Sequence, residues 1–276
     1  MNHWRRKGMN ILVIGLCSAA ALIALVPLIL IFVHLISKGF GSLNLAFFTD
    51  LPRPVGEPGG GMANAILGSC VLIGIASLIG FPIGIFGGMY LSEFGKTKFG
   101  DTVRFSADML SGTPSIVIGI FVYALIVLRT KNFSALAGGV ALGIMMVPTI
   151  MRTTETMLDL VPRMLREGAL ALGIPYWKTL LAVVFKTARS GIVTGALLAI
   201  ARVAGETAPL LFTALGNQFW STSLNEPIAA LPLQIFQYAS SPFEVWQEQA
   251  WAGALVLIGL VFILNVTARI AFRRKG

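Results

Sequence analysis

An arginine and a glutamate stand four positions apart in "LLAIARVAGETAPLLF", residues 197 to 212, inside a run that is otherwise almost wholly apolar. Positions i and i+4 share a face of an α-helix, so Arg202 and Glu206 can partly neutralise each other there. Neutralisation lowers the cost of a charge in a spanning helix, about 2.5–3.5 kcal/mol on insertion scales, but gives no reason for having the pair. Two readings stand: an internal ion pair that ties helices together, or an anion-handling group on a polar path. Arginine suits a tetrahedral oxyanion, because its planar fork donates two parallel hydrogen bonds and stays charged. Glu206 would orient that fork and keep its hold weak enough for release. Gly205 and Pro209 make the same stretch easy to bend, since glycine lowers helix preference and proline removes a backbone hydrogen bond.

Other candidate chemistry is weaker. "FGKT" at 94 to 97 ends like a phosphate-binding loop, but G-x-x-x-x-G-K-[ST] needs a glycine at position 90, which is Tyr90. Nucleotide binding by this chain is therefore rejected. HExxH and GxSxG are missing, as are paired intramembrane acids that would suit a proteolytic centre, so the chain reads as a non-enzyme. Cys17 and Cys70 both lie in apolar stretches without metal-ligand spacing and read as small core residues. His3 and His34 have no acidic neighbour at useful spacing.

The elements that position Arg202 and Glu206 follow from composition. Of 276 residues 56% are hydrophobic and only 12% charged, with mean hydropathy +0.82, whereas soluble domains are about 25% charged. The fold class is an all-α membrane protein. Apolar runs predict six transmembrane helices at about 9–36, 63–91, 107–128, 134–151, 190–214 and 249–272. Residues 1–8 form a short tail, and 9–276 a single transmembrane domain. The basic start followed by a long apolar run suits a retained first span better than a cleaved signal peptide. Net charge is +9, but the basic residues sit at the ends of apolar runs rather than on one polar face, which excludes nucleic acid. Sixteen of the 21 Lys and Arg fall on one side of this topology and four on the other, with Arg202 inside a span. The positive-inside rule then puts both termini in the cytoplasm.

The loops differ in kind. "LPRPVGEPGGGMANA", residues 51 to 65, is rich in Pro and Gly and predicts an irregular connection. "IAALPLQIFQYA" predicts a short amphipathic piece lying at the interface. Gly80, Gly84 and Gly88, spaced by four, would let the second span pack closely on a neighbour. The inner loop at about 152–189 has helical periodicity with breaks. Pro162 starts a segment, Gly173 can take a left-handed cap position and Pro175 prevents continuation. It reads either as an ordinary interfacial helix or as a docking element for a cytoplasmic partner.

That loop, "EGALALGIPYWKTLLAVVFK", resembles the EAA loop of ABC importer permeases. Glu167, Ala169 and Gly173 match it, while Gly168 stands for the usual Ala, and Phe185 and Lys186 stand for the usual "LP". "GGGMANAILGS", "SGTPSIVIGIFVYAL", "MMVPTIMRTTETMLDLVP" and "LLAIARVAGETAPLLFTALGNQFW" are similar to the PstA-type permease subunits of phosphate ABC importers, over about residues 55–275. The resemblance implies a type I importer fold in the bacterial cytoplasmic (inner) membrane. It implies a second, related permease subunit of the PstC type, a PstB-type ATPase dimer and a PstS-type external phosphate-binding protein. The cofactors implied, ATP and Mg, would belong to the ATPase and none to this chain. Glu167, Gly168, Ala169 and Gly173 would form the ATPase-coupling surface, and Arg202 and Glu206 would face the phosphate path. Competing functions are a permease for another oxyanion or small solute, a channel, or a structural membrane subunit.

Overall fold

The computed structural model describes residues 3–54, 57, 59–221 and 223–271. Among them it is helical, with one isolated bridge between Leu215 and Ile228. In chain order the helices are α1 (His3–Gly39), α2 (Leu45–Thr49), α3 (Ala63–Phe94), α4 (Lys98–Gly112), α5 (Ser115–Thr130), α6 (Ala135–Asp159), α7 (Arg163–Ala171), α8 (Tyr176–Ala204), α9 (Ala208–Thr213), α10 (Leu231–Ala239) and α11 (Glu244–Ala271). Single π-helical segments interrupt α5 at Tyr123–Val127 and α8 at Leu180–Phe185.

The centre of the bundle is the parallel pair α3 and α6. Gly80, Gly84 and Gly88 do lie on the contact: a Cβ would come within 2.8 Å of Met146 Cβ at Gly80, 2.7 Å of Ile150 Cβ at Gly84 and 2.5 Å of the Met151 carbonyl at Gly88. α6 reciprocates, its Gly139 and Gly143 facing Ile75 and Ile79. Removing side chains on both faces brings the backbones together and enlarges the dispersion contact, the main attraction left once a helix already sits in apolar solvent. Leu72, Ala76, Leu142, Met146, Ile150, Ala199, Val203 and Leu210 form the surrounding core, so α8 and α9 join the same cluster.

Gly39 of α1 packs on the Trp251 carbonyl of α11, and His34 meets the Trp251 ring edge-on at 4.8 Å. Residues 39, 62, 135 and 244 therefore share one end of the bundle, called here the re-entrant end. The start of α1, the end of α11, residues 94–98 and the segment 160–175 share the opposite, basic end.

Five expectations are corrected. The run 107–128 is not one straight span: α4 and α5 meet at 104° across Thr113 and Pro114. Proline pushes the residue before it out of the α region, and Thr113 is extended at φ −74° and ψ 130°. Spans four and five are longer than their apolar parts, since α6 runs on to Asp159 and α8 starts at Tyr176, which shrinks the loop expected at 152–189 to 160–175. Hydropathy marks only the apolar part of a helix, and Arg152 to Asp159 continue it with mostly polar residues. "IAALPLQIFQYA" does form a helix, α10, but Leu231, Leu233 and Tyr238 are buried among α3 and α11 rather than laid on a surface. Cys17 and Cys70 are exposed on this chain, not in its core. The expected tail at 1–8 is already helical from His3, while Met1, Asn2 and residues 272–276 lie outside the described residues.

The α3–α6 contact gives a direct test. Replacing Gly84 by Leu should destabilise the bundle by about 1–3 kcal/mol, the usual cost of overpacking. Gly74→Leu, on the same helix with nothing within 4 Å, should leave it unchanged. Thermal unfolding of the purified protein in detergent measures both.

Candidate functional site

α8 stops inside the bundle. Its Gly191 and Gly195 lie against Met157 and Thr153 of α6, which fixes an antiparallel register. Continued to the end of α8, that register brings Arg202 level with Met146, midway along the 25 residues of α6. The helix ends at Ala204, Gly205 caps it at φ −98° and ψ 1°, and α9 begins at Ala208 with Pro209 in its first turn. Pro209 is tolerated there because its missing N–H would have had no partner anyway.

The spacing of Arg202 and Glu206 suggested one shared helix face, and the break cancels it. Arg202 lies in the last turn of α8, where a cation suits the helix dipole, whereas Glu206 lies beyond the helix end. Among the described residues no ion pair or hydrogen bond joins their side chains. Arg202 is exposed on the surface of the chain and Glu206 is half-buried. A guanidinium at this depth is too costly to face hydrocarbon, so its exposed side calls for water or another protein surface.

A second broken span meets the first. Gly119 of α5 sits on Pro209 so closely that a Cβ would come within 2.6 Å of its Cα. The α4–α5 bend and the gap between α8 and α9 are thus neighbours. Irregular backbone at membrane depth is tolerated only where it is covered by protein or lines a watery cavity. On α8 itself, Lys186, Ser190, Thr194, Leu198 and Arg202 recur every four residues, and all five are exposed. That stripe, two cations and two hydroxyls with Leu198 among them, leads along α8 to the break. In the sequence Lys186 reads only as part of the EAA-like inner loop; the spacing of four was the signal available.

At the basic end, α7 starts after Pro162 and closes at Gly173, whose φ of +75° is left-handed. The Gly173 N–H donates to the Leu170 carbonyl at 2.9 Å and the Ile174 N–H to the Ala169 carbonyl at 3.2 Å, satisfying the last carbonyls of the helix. Pro175 then opens α8. Of the coupling residues expected from sequence, Glu167, Gly168 and Gly173 are exposed while Ala169 is buried. Met164 is 82% and Leu172 81% exposed, an apolar surface on a polar excursion.

Charges that sequence reading treated only as topology markers form a network between α4 and α6. Arg104 Nε donates to Glu155 Oε1 at 2.7 Å, and its Nη1 and Nη2 reach the Gly95 and Leu91 carbonyls at 2.7 and 3.2 Å, capping α3. Arg152 holds Asp108 with two bonds of 2.5 and 3.1 Å and Glu155 with a third of 3.2 Å. "FGKT" is a helix junction: Thr97 Oγ1 accepts from the Gly100 N–H at 3.1 Å as the cap of α4. Among the described residues no group of three His, Cys, Asp or Glu could hold a metal.

Comparison with known proteins fits this architecture. The family described as binding-protein-dependent transport system inner membrane component matches residues 80–276. The phosphate transport system permease protein PstA of Yersinia pestis is 50% identical over 99% of this chain and 92% of its own. The PstA of Haemophilus influenzae is 46% identical, covering 99% and 96%. A probable PstA of Methanocaldococcus jannaschii is 35% identical, covering 93% and 91%. Among solved structures, the inward-facing MetNI methionine ABC transporter matches with TM-score 0.58 at 18% identity, over 77% of this chain and 94% of that one, a likeness of fold alone. With a family match over most of its length and near-full-length relatives at up to 50% identity, the chain belongs to the binding-protein-dependent transport system inner membrane components, in their PstA branch.

Proposed function

We propose that this chain is the transmembrane permease subunit of an ATP-driven inorganic phosphate importer, forming half of the translocation path. The observation that carries the reading is Arg202, an exposed guanidinium halfway through the bundle at the break between α8 and α9. The PstA relatives supply the substrate, phosphate. A second permease of the PstC type would cover the Arg202 face, so that the path runs between the two subunits. The basic end, with its excess of Lys and Arg, faces the cytoplasm, and α7 docks there in a PstB-type ATPase dimer that carries ATP and Mg. A PstS-type binding protein delivers phosphate to the re-entrant end.

The mechanism is alternating access. ATP closes the ATPase dimer, α7 carries the motion to the spans and the path opens outward. Phosphate then meets Arg202, whose fork can donate two hydrogen bonds to one oxyanion. Glu206, beyond the helix end and half-buried, opposes tight retention by its like charge. Hydrolysis returns the bundle to the inward-facing state, and the hydroxyls and Lys186 along α8 offer the anion a way down. The chain itself performs no chemical step.

Two outcomes are expected in proteoliposomes holding the full complex. Arg202→Gln should lower ATP-driven uptake of radiolabelled phosphate about 10- to 100-fold, the value of a hydrogen bond to a charged group, with all subunits still co-purifying. Wild-type uptake would remove Arg202 from the path. Gly173→Val forces a branched side chain into a left-handed conformation that costs about 1–2 kcal/mol or more, and should weaken ATPase retention without dissociating the permease pair. Unchanged retention and transport would mean that docking lies elsewhere.

A further inference from the structure

Glu93, in the last turn of α3, has each carboxylate oxygen held by a different element. Its Oε1 stands 2.5 Å from Arg166 Nη1 of α7, and its Oε2 accepts the hydroxyl of Tyr176, the first residue of α8. The Glu93 side chain is only 3% exposed and that of Arg166 22%. The other arm of Arg166, Nη2, donates at 3.0 Å to the Leu158 carbonyl near the end of α6. Beside it Ser92 donates to Asp159 at 2.5 Å, and the Phe94 and Tyr176 rings lie 6.4 Å apart. One buried carboxylate and one guanidinium thus join α3, α6, α7 and α8.

α7 has little else to hold it. Ala169 is its one buried residue, and Met164, Leu165 and Leu170 are exposed. A buried ion pair is a poor choice for stability, because desolvation offsets much of its attraction, whereas fixing one arrangement among several is its best-attested use. We infer that Glu93 is a positioning residue, which clamps α7 to the ends of α3, α6 and α8 so that all four move as one rigid unit. The inference rests on α7 being the ATPase-docking element. Lys96 and Arg163 line the same cleft of about 460 Å³ and could replace Arg166 as partners, so Glu93 is the member whose removal is informative.

The test is the number of phosphates transported per ATP hydrolysed by the full complex in proteoliposomes. Glu93→Gln keeps the shape and loses the charge. Hydrolysis should stay near the wild-type rate while uptake falls about tenfold, as loss of one charged hydrogen bond implies. Tyr176→Phe should act in the same direction, and the double variant should be no worse than Glu93→Gln alone, since both remove one junction. Uptake and hydrolysis falling in proportion, or an unchanged ratio, would overturn the clamp. A second measurement covers failure to assemble: Glu93→Cys with Arg166→Cys, in a chain carrying Cys17→Ser and Cys70→Ser, should be uncoupled and regain coupling when a bifunctional thiol reagent bridges the pair. A bridged complex that stays uncoupled would overturn the inference. Absence of ATP-driven phosphate uptake by the wild-type complex would instead sink the importer reading.

Discussion

A helix that stops halfway through an apolar layer leaves carbonyls and amides without partners, and hydrocarbon offers them none. The end of α8 at Ala204 imposes that constraint here, and much of the re-entrant end is arranged around it. The chain turns through Gly205 to Thr207, and the Thr207 hydroxyl lies 3.4 Å from the Pro232 carbonyl of α10. After α9 it folds back instead of leaving, and the first amides of α6 take the returning carbonyls: Ser134 donates to Thr213 at 2.9 Å, Ala135 to Glu226 and Leu136 to Leu224 at 3.0 Å. The open start of one helix thus satisfies the irregular segment created by the break in another. Ser69 Oγ accepts from the Leu231 N–H at 2.7 Å, and Gly68 lets the Ala229 carbonyl approach α3. The buried α10 is best understood as cover for this polar backbone.

The charged residues inside the bundle fall into two kinds. Arg104, Arg152, Asp108 and Glu155 satisfy one another with distances of 2.5 to 3.2 Å, and Glu155 is 7% exposed. They bind the first half of a broken span to α6, and the burial of Glu155 is offset by its pairing with both arginines. Arg202 has no such partner among the described residues and is turned outward. Of the two readings that its sequence context allowed, the structural ion pair is found at Arg104 and Arg152 and not at Arg202, for which the anion-handling role is the one proposed. Pairing separates them, and sequence spacing did not.

What the sequence displayed was decided locally. Pro162, Gly173 and Pro175 bound α7 where expected, because helix stops depend on the φ of single residues. The glycine spacing of α3 pointed to the right face, because four residues make nearly one turn. What it hid depended on neighbours. Thr113–Pro114 could have been a mild kink, and only the packing of Gly119 on Pro209 shows why α4 and α5 turn by 104°. Apolar "IAALPLQIFQYA" looks the same whether it covers a lipid surface or a broken helix. Glu93, Arg166 and Tyr176 are spread over 83 positions, and no periodicity links them.

The distance between the two ends gives the clamp its meaning. From Tyr176 to Arg202 is 27 residues of α8, about 40 Å at 1.5 Å per residue. On the proposed coupling, motion received at α7 would reach Arg202 only through elements that neither bend nor slip over that length. Close packing of Gly191 and Gly195 on α6 resists slipping, and the α3–α6 glycine contact ties α6 to a second long helix. The π-helical segment at Leu180–Phe185 follows immediately after the clamp, and its i→i+5 bonding widens the helix there. Held by Tyr176 alone, α8 could absorb a push there. Held through Glu93 to α3 and through Arg166 to α6 as well, a push on the proposed docking helix would be shared by helices that bypass the π segment on the way to the break in α8.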